Sequence, residues 1–380
     1  MTKPMLFRPL QLRDTIFPNR ATVAPMCQYS AVDGLANDWH LVTLGGYAKG
    51  GFGSVMTEAA AVTPDGRITH GDLGLWSDAH AAALKPSIDF IRANGALAGI
   101  QLGHAGRKAS MQRPWHGNAA LTAQDHARGD MPWETRGASA LPVDDGWLVP
   151  TEMTHADIAE LTQAFVDAAI RADALGCAFV EIHGAHGYLI QTFLSPASNK
   201  RADAYGGDRA GRMRIALEIA EAVRAVWPDG KPLFFRISSV DGFAGGWDMA
   251  DSVALAHALK ALGVDVIDCS SGGNAGRTAA SNGRTVAPGF QLPYAAEIRE
   301  KVGIATQAVG MFLDGPQAEA ALQAGQADLI AIGRQALFDP FWAHHQAYAM
   351  ESDDFNAWPE QSGWWLARRE ASIKALSRAK

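Results

Sequence analysis

The sequence has few cysteines: its 380 residues contain only Cys27, Cys177 and Cys269. Three widely spaced cysteines argue against a disulfide framework or a Cys-x-x-Cys metal site. They favour reduced thiols, so we expect a cytoplasmic protein. The sequence also lacks an apolar run of about 18 residues, which argues against a membrane-spanning helix. The first ten residues, MTKPMLFRPL, have no apolar stretch typical of a signal peptide.

Positive charge is also scarce. The chain has 33 lysines and arginines against 40 aspartates and glutamates, for a net charge of −7. A nucleic-acid-binding protein would show a dense basic stripe, so we expect neither a nucleic-acid nor a membrane partner. Hydrophobic residues make up 48% of the chain, which excludes a disordered protein and allows a large core.

Short apolar runs alternate with segments of helical periodicity. The runs are continuously apolar, as in strands that are buried on both faces of a parallel sheet. The predicted strands are 21–25, 54–59, 97–102, 178–182, 233–237, 265–270, 305–310 and 328–333. The predicted helices are 77–94, 154–176, 210–226, 250–262, 315–324 and 340–350.

Eight strand–helix alternations leave two α/β folds, a (β/α)₈ TIM barrel and a doubly wound sheet. A dinucleotide-binding doubly wound sheet normally carries Gly-x-Gly-x-x-Gly after a strand. That motif fails here, because Gly51-Phe52-Gly53 is followed by Ser-Val-Met. We therefore predict one (β/α)₈ barrel domain that spans 1–380.

A barrel needs roughly 250 residues, and two segments of this chain account for much of the surplus. Residues 109–150 are rich in Pro, Gly, Trp and His, and we expect an extended loop that caps the barrel mouth. Residues 351–380 form a tail that contains EQSGWWLARRE. Adjacent tryptophans beside arginines are typical of an interface anchor. The tail therefore predicts an inter-subunit element in a homodimer or homotetramer.

Polar side chains follow the predicted fourth strand, in the run His183-Gly-Ala-His186-Gly-Tyr188. In a barrel, the C-terminal strand ends form the active site. Two imidazoles of one loop can donate to a single oxygen, each worth about 2–4 kcal/mol where negative charge develops, and Tyr188 could supply a proton. A His-x-x-His pair could also be half of a zinc site. No further ligand stands at metal spacing, so we expect no metal.

The other strand ends suggest a bound anion. The last three strands end in Ser-Gly-Gly (271–273), Gly-Met-Phe (310–312) and Gly333-Arg334, in the usual phosphate region of this fold. Arg236 ends the apolar strand LFFR, where a buried guanidinium needs an anionic or carbonyl-rich partner. Cys27 ends the first strand, before Tyr29, which favours a cofactor contact over a nucleophile because no base lies beside it.

These residues together resemble the Old Yellow Enzyme family of flavin ene-reductases. The resemblance rests on HGAHGYLIQTFLSPASNKRADAYGGDRAGR (183–212), PMCQYS (25–30), IQLGHAGRK (100–108) and IGR (332–334). Cys27 combined with the His-x-x-His pair is similar to the thermophilic-like subgroup, which includes xenobiotic reductases. The family implies a barrel that holds FMN non-covalently and uses NADPH, or NADH, as reductant.

The resemblance also implies residue roles. Cys27 would tune the flavin potential, Ala59 and Gln101 would bond its pyrimidine edge, and Arg236 would face N1. The implied cofactor-binding residues are Ala24, Pro25, Met26, Cys27, Ala59, Gln101, Arg236, Gly310, Gly333 and Arg334.

For the substrate, an α,β-unsaturated carbonyl or nitro compound, His183 and His186 would bind the oxygen and Tyr29 would line the site. Hydride would pass from flavin N5 to Cβ and a proton from Tyr188 to Cα. Trp365 of a neighbouring subunit would enter the pocket.

Three other functions stay open. A lyase or aldolase could use the phosphate loops, but it would need a strand-end lysine, and Lys108 and Lys200 stand in predicted loops. A metal-dependent hydrolase could use the histidine pair. A non-catalytic flavin-binding protein would not need Tyr188 beside that pair.

Overall fold

The computed structural model describes residues 3–274 and 286–378. Eight parallel strands close into a barrel, each beside its predecessor in the chain, so the predicted (β/α)₈ fold is confirmed. All eight predicted strands are present. They are β1 (Ala21–Val23), β2 (Ser54–Ala61), β3 (Leu97–Gly103), β4 (Phe179–Gly184), β5 (Leu233–Ser238), β6 (Val266–Ser270), β7 (Ala305–Val309) and β8 (Leu329–Ile332).

All six predicted helices are also present, within two residues of their expected bounds. In the described residues the helices are α1 (Asp38–Lys49), α2 (Asp78–Ala93), α3 (Ala123–Ala127), α4 (His155–Ala174), α5 (Leu189–Leu194), α6 (Arg209–Val226), α7 (Met249–Ala261), α8 (Leu292–Val302), α9 (Gly315–Gln323), α10 (Arg334–Phe338), α11 (Trp342–Ala349) and α12 (Glu360–Arg378). None of those described is long and apolar enough to cross a membrane.

Helix α4 shows why these segments fold as they do. The Thr154 side chain accepts from the Asp157 backbone N–H, and the Asp157 carboxylate accepts from the Thr154 N–H, which forms a reciprocal cap. The apolar positions along the helix, Ile158, Leu161 and Phe165, are buried against the barrel. An amphipathic face therefore fixes the outer helix, as the periodicity predicted.

An apolar cluster fills the N-terminal end of the barrel. Phe17, from the antiparallel pair Leu10–Leu12 and Thr15–Phe17, packs against Phe179 and Phe234 with ring centroids 5.4 and 6.1 Å away. Because aromatic side chains close this end, polar groups of the interior lie toward the C-terminal ends of the strands. The polar groups of the barrel interior are therefore available at that mouth of the barrel.

The segment 109–150 is largely irregular, as expected. It contains one turn of 3₁₀ helix (Pro114–His116), the short α3, and the strand Arg136–Gly137 paired with Thr151–Glu152. Most of the tail 351–380 forms the helix α12, which was not among the predicted helices. The apolar and charged residues of EQSGWWLARRE thus share a helical surface.

Candidate active site

A cavity of about 520 Å³ opens at the C-terminal ends of the strands. Its size lies within the range of about 300–1,000 Å³ that is typical of ligand pockets. Nine of the predicted site residues line it: Ala24, Pro25, Met26, His186, Tyr188, Arg236, Gly310, Gly333 and Arg334. The structure therefore brings together residues from five strand ends, although the first and last are more than 300 positions apart in the sequence.

His183 and His186 face each other, and His186 lines the cavity whereas His183 does not. His183 Nε2 lies 3.4 Å from His186 Nδ1, and the two rings are nearly perpendicular, with centroids 5.1 Å apart. The backbone N–H of Ala185 donates to His183 Nδ1 at 3.3 Å, so this nitrogen is an acceptor and Nε2 carries the proton. The protonated nitrogen of His183 thus points to the same region as Nδ1 of its partner.

Both imidazoles are neutral. Burial, reinforced by the positive charge of Arg236, lowers the pKa of His183 and of His186 well below the usual value. A neutral imidazole has one N–H group. Ser270 Oγ lies 2.7 Å from His186 Nε2. When the Ser270 hydroxyl donates to Nε2, the proton of His186 is on Nδ1. In that tautomer the pair offers two donors to one oxygen.

Tyr188 packs beside the pair and keeps its proton. Its ring centroid lies 5.1 Å from that of His183 and 6.4 Å from that of His186. Burial raises the pKa of Tyr188 well above its usual value, with contributions from Cys27 and Asp72. The phenol is therefore a proton donor, never a resident phenolate.

Lys108 holds the histidine loop in place. It is only 5% exposed, and its Nζ donates to the carbonyl oxygens of His186, at 2.9 Å, and of Gly273. Lys108 stands outside the barrel strands, as predicted, in the turn Gly106–Lys108, and its ammonium group reaches the active-site loops. Burial, followed by the charge of Arg107, lowers the pKa of Lys108 to about 7.

The loop backbone itself is unusual at two positions. His186 has φ of +62° and Gly187 has φ of +74°. A Cβ at Gly187 would lie 2.3 Å from the Gly273 carbonyl oxygen, so only glycine allows the loops after β4 and β6 to meet. The signature His-Gly-Ala-His-Gly thus encodes a backbone shape as well as two imidazoles.

Cys27 lies half-buried between the cavity and the capping segment. Its thiol is in hydrogen-bonding contact with Tyr29, whose ring packs edge-on against Trp115 at 5.9 Å. Burial, with the nearby carboxylates of Asp72 and Glu58, raises the pKa of the Cys27 thiol well above its usual value. A protonated thiol is a poor nucleophile, which agrees with the expectation of a modulating role.

Gln101 and Ala59 are register partners on neighbouring strands. A register shift in β2 between Met56 and Ala59 places Ala59 opposite Gln101. Gln101 is buried and its Nε2 donates to Glu181 Oε1 at 2.7 Å. Neither residue lines the cavity directly; they lie at the barrel interior beside it.

The cavity lining after β7 and β8 combines Gly310 and Gly333 with larger side chains such as Met311 and Phe312. A Cβ built at Gly333 would make only ordinary van der Waals contacts, with Met26 Sδ at 3.8 Å and Ala24 Cβ at 3.9 Å. Arg334, the first residue of α10, is exposed at the rim of the cavity. Space beside a backbone N–H together with a guanidinium suits a phosphate group.

Three residues of the cavity had no assigned individual role in the sequence. Ser270, Ser271 and Gln291 line the wall between the histidines and Gly310. With its amide oriented to satisfy its neighbours, Gln291 Oε1 accepts from the Ser271 N–H at 2.9 Å and its nitrogen donates to the Val309 carbonyl. The sequence analysis named Ser271 as part of a Ser-Gly-Gly turn. Gln291 directly precedes α8, which was not among the predicted helices.

Trp365 does not lie near this cavity. It is 67% exposed on α12, where Trp364 packs against it with centroids 4.5 Å apart. The tail enters α12 beside Asn19 and Gly51, which precede β1 and β2 at the other end of the barrel. Within one chain, the structure therefore does not bring Trp365 to the active site.

Comparisons with known proteins agree with these observations. The model of the NADH:flavin oxidoreductase / NADH oxidase family matches residues 5–353. An NADPH dehydrogenase of Bacillus licheniformis is 42% identical over 344 residues, which cover 90% of this chain and 94% of the relative. An NADPH dehydrogenase of Bacillus subtilis strain 168 is 40% identical over 361 residues, or 94% and 99% of the two chains.

Solved structures share the fold. The old yellow enzyme homologue from Zymomonas mobilis superposes with a TM-score of 0.74 at 24% identity, covering 92% of this chain and 94% of the other. A 2-naphthoyl-CoA reductase gives a TM-score of 0.80 at 25% identity over 92% of this chain. This chain spans about half of that larger protein, 53% of its length.

Proposed function

The chain belongs to the NADH:flavin oxidoreductase / NADH oxidase family, as an Old Yellow Enzyme-type oxidoreductase that uses FMN and NAD(P)H, and we propose that it is an ene-reductase. Its substrates are α,β-unsaturated carbonyl or nitro compounds, and NADPH is the preferred reductant. The C=C bond of the substrate is reduced, and the oxygen of the activating group is held by the protein.

The residues present suit FMN. Arg236 lines the cavity, and its Nε, which makes no hydrogen bond among the described residues, lies 3.5 Å from Asp268 Oδ2. A guanidinium at this position can also stabilise an anionic or carbonyl-rich group in the cavity. Gly333 leaves room for a group beside the backbone, and Arg334 supplies a cation at the rim. We assign Ala59 and Gln101 to the pyrimidine edge of the ring system and Arg236 to its N1 side. Ala24, Pro25, Met26 and Cys27 would lie along the flavin, and Gly310, Gly333 and Arg334 would hold the phosphate.

FMN, when bound, accepts a hydride from NAD(P)H and passes one to the second substrate. The protein's own residues bind and polarise that substrate. His183 and His186 donate to its carbonyl or nitro oxygen, which draws charge away from the C=C bond. Tyr188 holds a proton beside the same site and gives it to Cα, while Tyr29 lines the pocket.

The observation that carries this proposal is the convergence of two neutral imidazole nitrogens beside a protonated phenol. His183 Nε2 and His186 Nδ1 are 3.4 Å apart, and both rings pack against Tyr188. Neutral donors and a protonated acid are what the reduction of an activated C=C bond needs. A flavin carrier without catalysis would have no use for this arrangement.

The test is an anaerobic panel of a cyclic enone, a maleimide and a nitroalkene, each with NADPH and the FMN-loaded protein. Analysis of the products by gas chromatography should show the saturated compound. An unactivated alkene is the control and should stay unchanged. NADPH oxidation that occurs only with oxygen, and yields no saturated product from any panel member, would contradict the proposal.

We further propose that the protein forms a homodimer or homotetramer in which α12 reaches a neighbouring active site, with Trp365 entering the pocket. The exposure of Trp364 and Trp365, 50% and 67%, supports this, because a lone chain leaves both indoles in water. Truncation from Trp364 onward should weaken assembly and alter substrate KM together, while FMN stays bound. A full-length protein that sediments as a monomer at micromolar concentration would refute it.

The three unpaired thiols are consistent with a cytoplasmic location.

A further inference from the structure

Two buried carboxyl groups lie inside the barrel beneath the active site. Glu181 of β4 and Asp268 of β6 are both completely buried. They lie above the aromatic plug of Phe179 and Phe234 and below the histidine loop. Burial of two carboxylates costs several kcal/mol unless each is paired or neutralised.

Each carboxyl has one satisfied oxygen. Gln101 Nε2 donates to Glu181 Oε1 at 2.7 Å, and Gln307 Nε2 donates to Asp268 Oδ2 at 2.9 Å. The single cation that faces the pair among the described residues is Arg236, whose Nε lies 3.5 Å from the same Asp268 Oδ2. The cation thus forms its ion pair with Asp268, and its charge acts on Glu181 without such a contact.

The two carboxyl groups touch, and each has one oxygen that lacks a donor. The carboxyl groups of Glu181 and Asp268 are in hydrogen-bonding contact. Glu181 Oε2 and Asp268 Oδ1 have no partner within the described residues. Two ionised carboxylates in this position would repel each other, whereas one proton between them satisfies both oxygens at once.

We propose that Glu181 carries this proton and donates a hydrogen bond through it to the ionised Asp268. The resulting pair positions Gln101 and Arg236 toward FMN. Asp268 is the ionised member because Arg236 lies beside it. Burial and the charge of Asp268 also raise the pKa of Glu181 well above its usual range, in agreement with this assignment.

The pair imposes directions on both neighbours. Glu181 Oε1 accepts from Gln101 Nε2, which turns the amide oxygen of Gln101 away from Glu181. Asp268 engages Arg236 on its Nε side, while Arg236 lines the cavity above. Glu181 and Asp268 are thus positioning residues, and their effect on FMN rests on the proposed contacts of Gln101 and Arg236.

The first experiment is infrared difference spectroscopy of the FMN-loaded protein at neutral pH, wild type against Glu181→Gln. A protonated carboxyl absorbs separately from ionised carboxylates, and we expect one such band to disappear in the variant. Asp72 is the control, because burial raises its pKa to about 7 and it can contribute a band of its own. The Glu181 band should persist in Asp72→Asn.

The second readout is the FMN reduction potential. Glu181→Gln replaces one neutral group by another, so the potential should stay unchanged. Glu181→Ala removes the partner of Gln101 and should weaken FMN binding by about tenfold, and Gln at this position should restore it. If Glu181 only supported the fold, Glu181→Gln would not be expected both to keep the FMN potential unchanged and to retain the FMN binding that Glu181→Ala loses.

Two results would overturn the inference. One is the absence of any acid band that depends on Glu181, and the other is a more positive potential in Glu181→Gln, as expected when a buried negative charge is lost. If Glu181→Gln does not fold, Asp268→Asn must shift the Glu181 band, and an unchanged spectrum would contradict the shared proton. The Glu181 band can be measured without turnover. Its absence in a protein that reduces enones would therefore contradict this inference and leave the proposed function intact.

Discussion

The two walls of the cavity are built in different ways. On one side stand buried side chains of specific chemistry, His183, His186 and Tyr188, locked by Lys108 and by a loop contact that permits only glycine. On the other side stand backbone groups, Gly310, Gly333 and the exposed Arg334. We infer from this difference that reaction and retention are separated in the proposed enzyme. The wall with the histidines, the reactive wall, would act on the substrate, and the wall with the glycines, the retaining wall, would hold FMN.

The largest effect should come from the reactive wall. His183→Ala and His186→Ala each remove a donor to the substrate oxygen, so enone turnover should fall by a factor of order 10² or more in each. FMN retention should change little, as measured by the flavin absorbance of the purified protein. His257→Ala is the matched control, because His257 is exposed on α7 and does not line the cavity. Unchanged turnover in both variants would remove the basis for the two-donor arrangement.

The retaining wall should show the opposite pattern. Arg334→Ala removes a charged partner of the phosphate, and FMN should dissociate about tenfold more readily in fluorescence titration. Gly333→Val fills the space beside the backbone and should weaken FMN binding at least as much. At saturating FMN, both variants should recover most of their turnover. Failure to recover would mean that this wall also takes part in the reaction.

The smallest effect should come from Cys27, which lies between the walls. Cys27→Ala should retain FMN and shift its reduction potential, and so change the balance between reduction by NADPH and oxidation by the enone. The raised pKa of the thiol predicts slow alkylation by iodoacetamide at neutral pH. Complete loss of turnover, with normal FMN binding and normal reduction by NADPH, would indicate a nucleophile instead.

The strands and most of the outer helices are predictable from the sequence alone because they depend on local patterns. The eight strands were predictable from continuous apolar runs, and α4 from Thr154, Asp157 and its apolar face. Helix α1 was missed because its DWHLVTLGGYAK run includes two adjacent glycines and no clear apolar face. It is held instead by its cap at Asn37 and by burial of Leu44 and Tyr47.

The supporting residues of the site were not predictable in the same way. Lys108 meets the His186 carbonyl across 78 positions and the Gly273 carbonyl across 165. Glu181 and Asp268 each looked like a single polar residue in an apolar strand. Their pairing depends on the order of strands in the closed barrel, which places β4 and β6 on either side of β5. Such contacts belong to the tertiary fold, and no local spacing encodes them.

The most direct test of the separation between reaction and retention is a single-turnover measurement on the FMN-loaded, pre-reduced protein. Wild type, His183→Ala and His186→Ala are mixed anaerobically with a cyclic enone, and in parallel with oxygen, and flavin absorbance is followed by stopped flow. The account predicts that each variant reacts at least about 10²-fold more slowly with the enone. Oxygen needs no histidine contact, so its rate should stay near that of wild type. Equal slowing with both oxidants, or no slowing with the enone, would contradict the central claim.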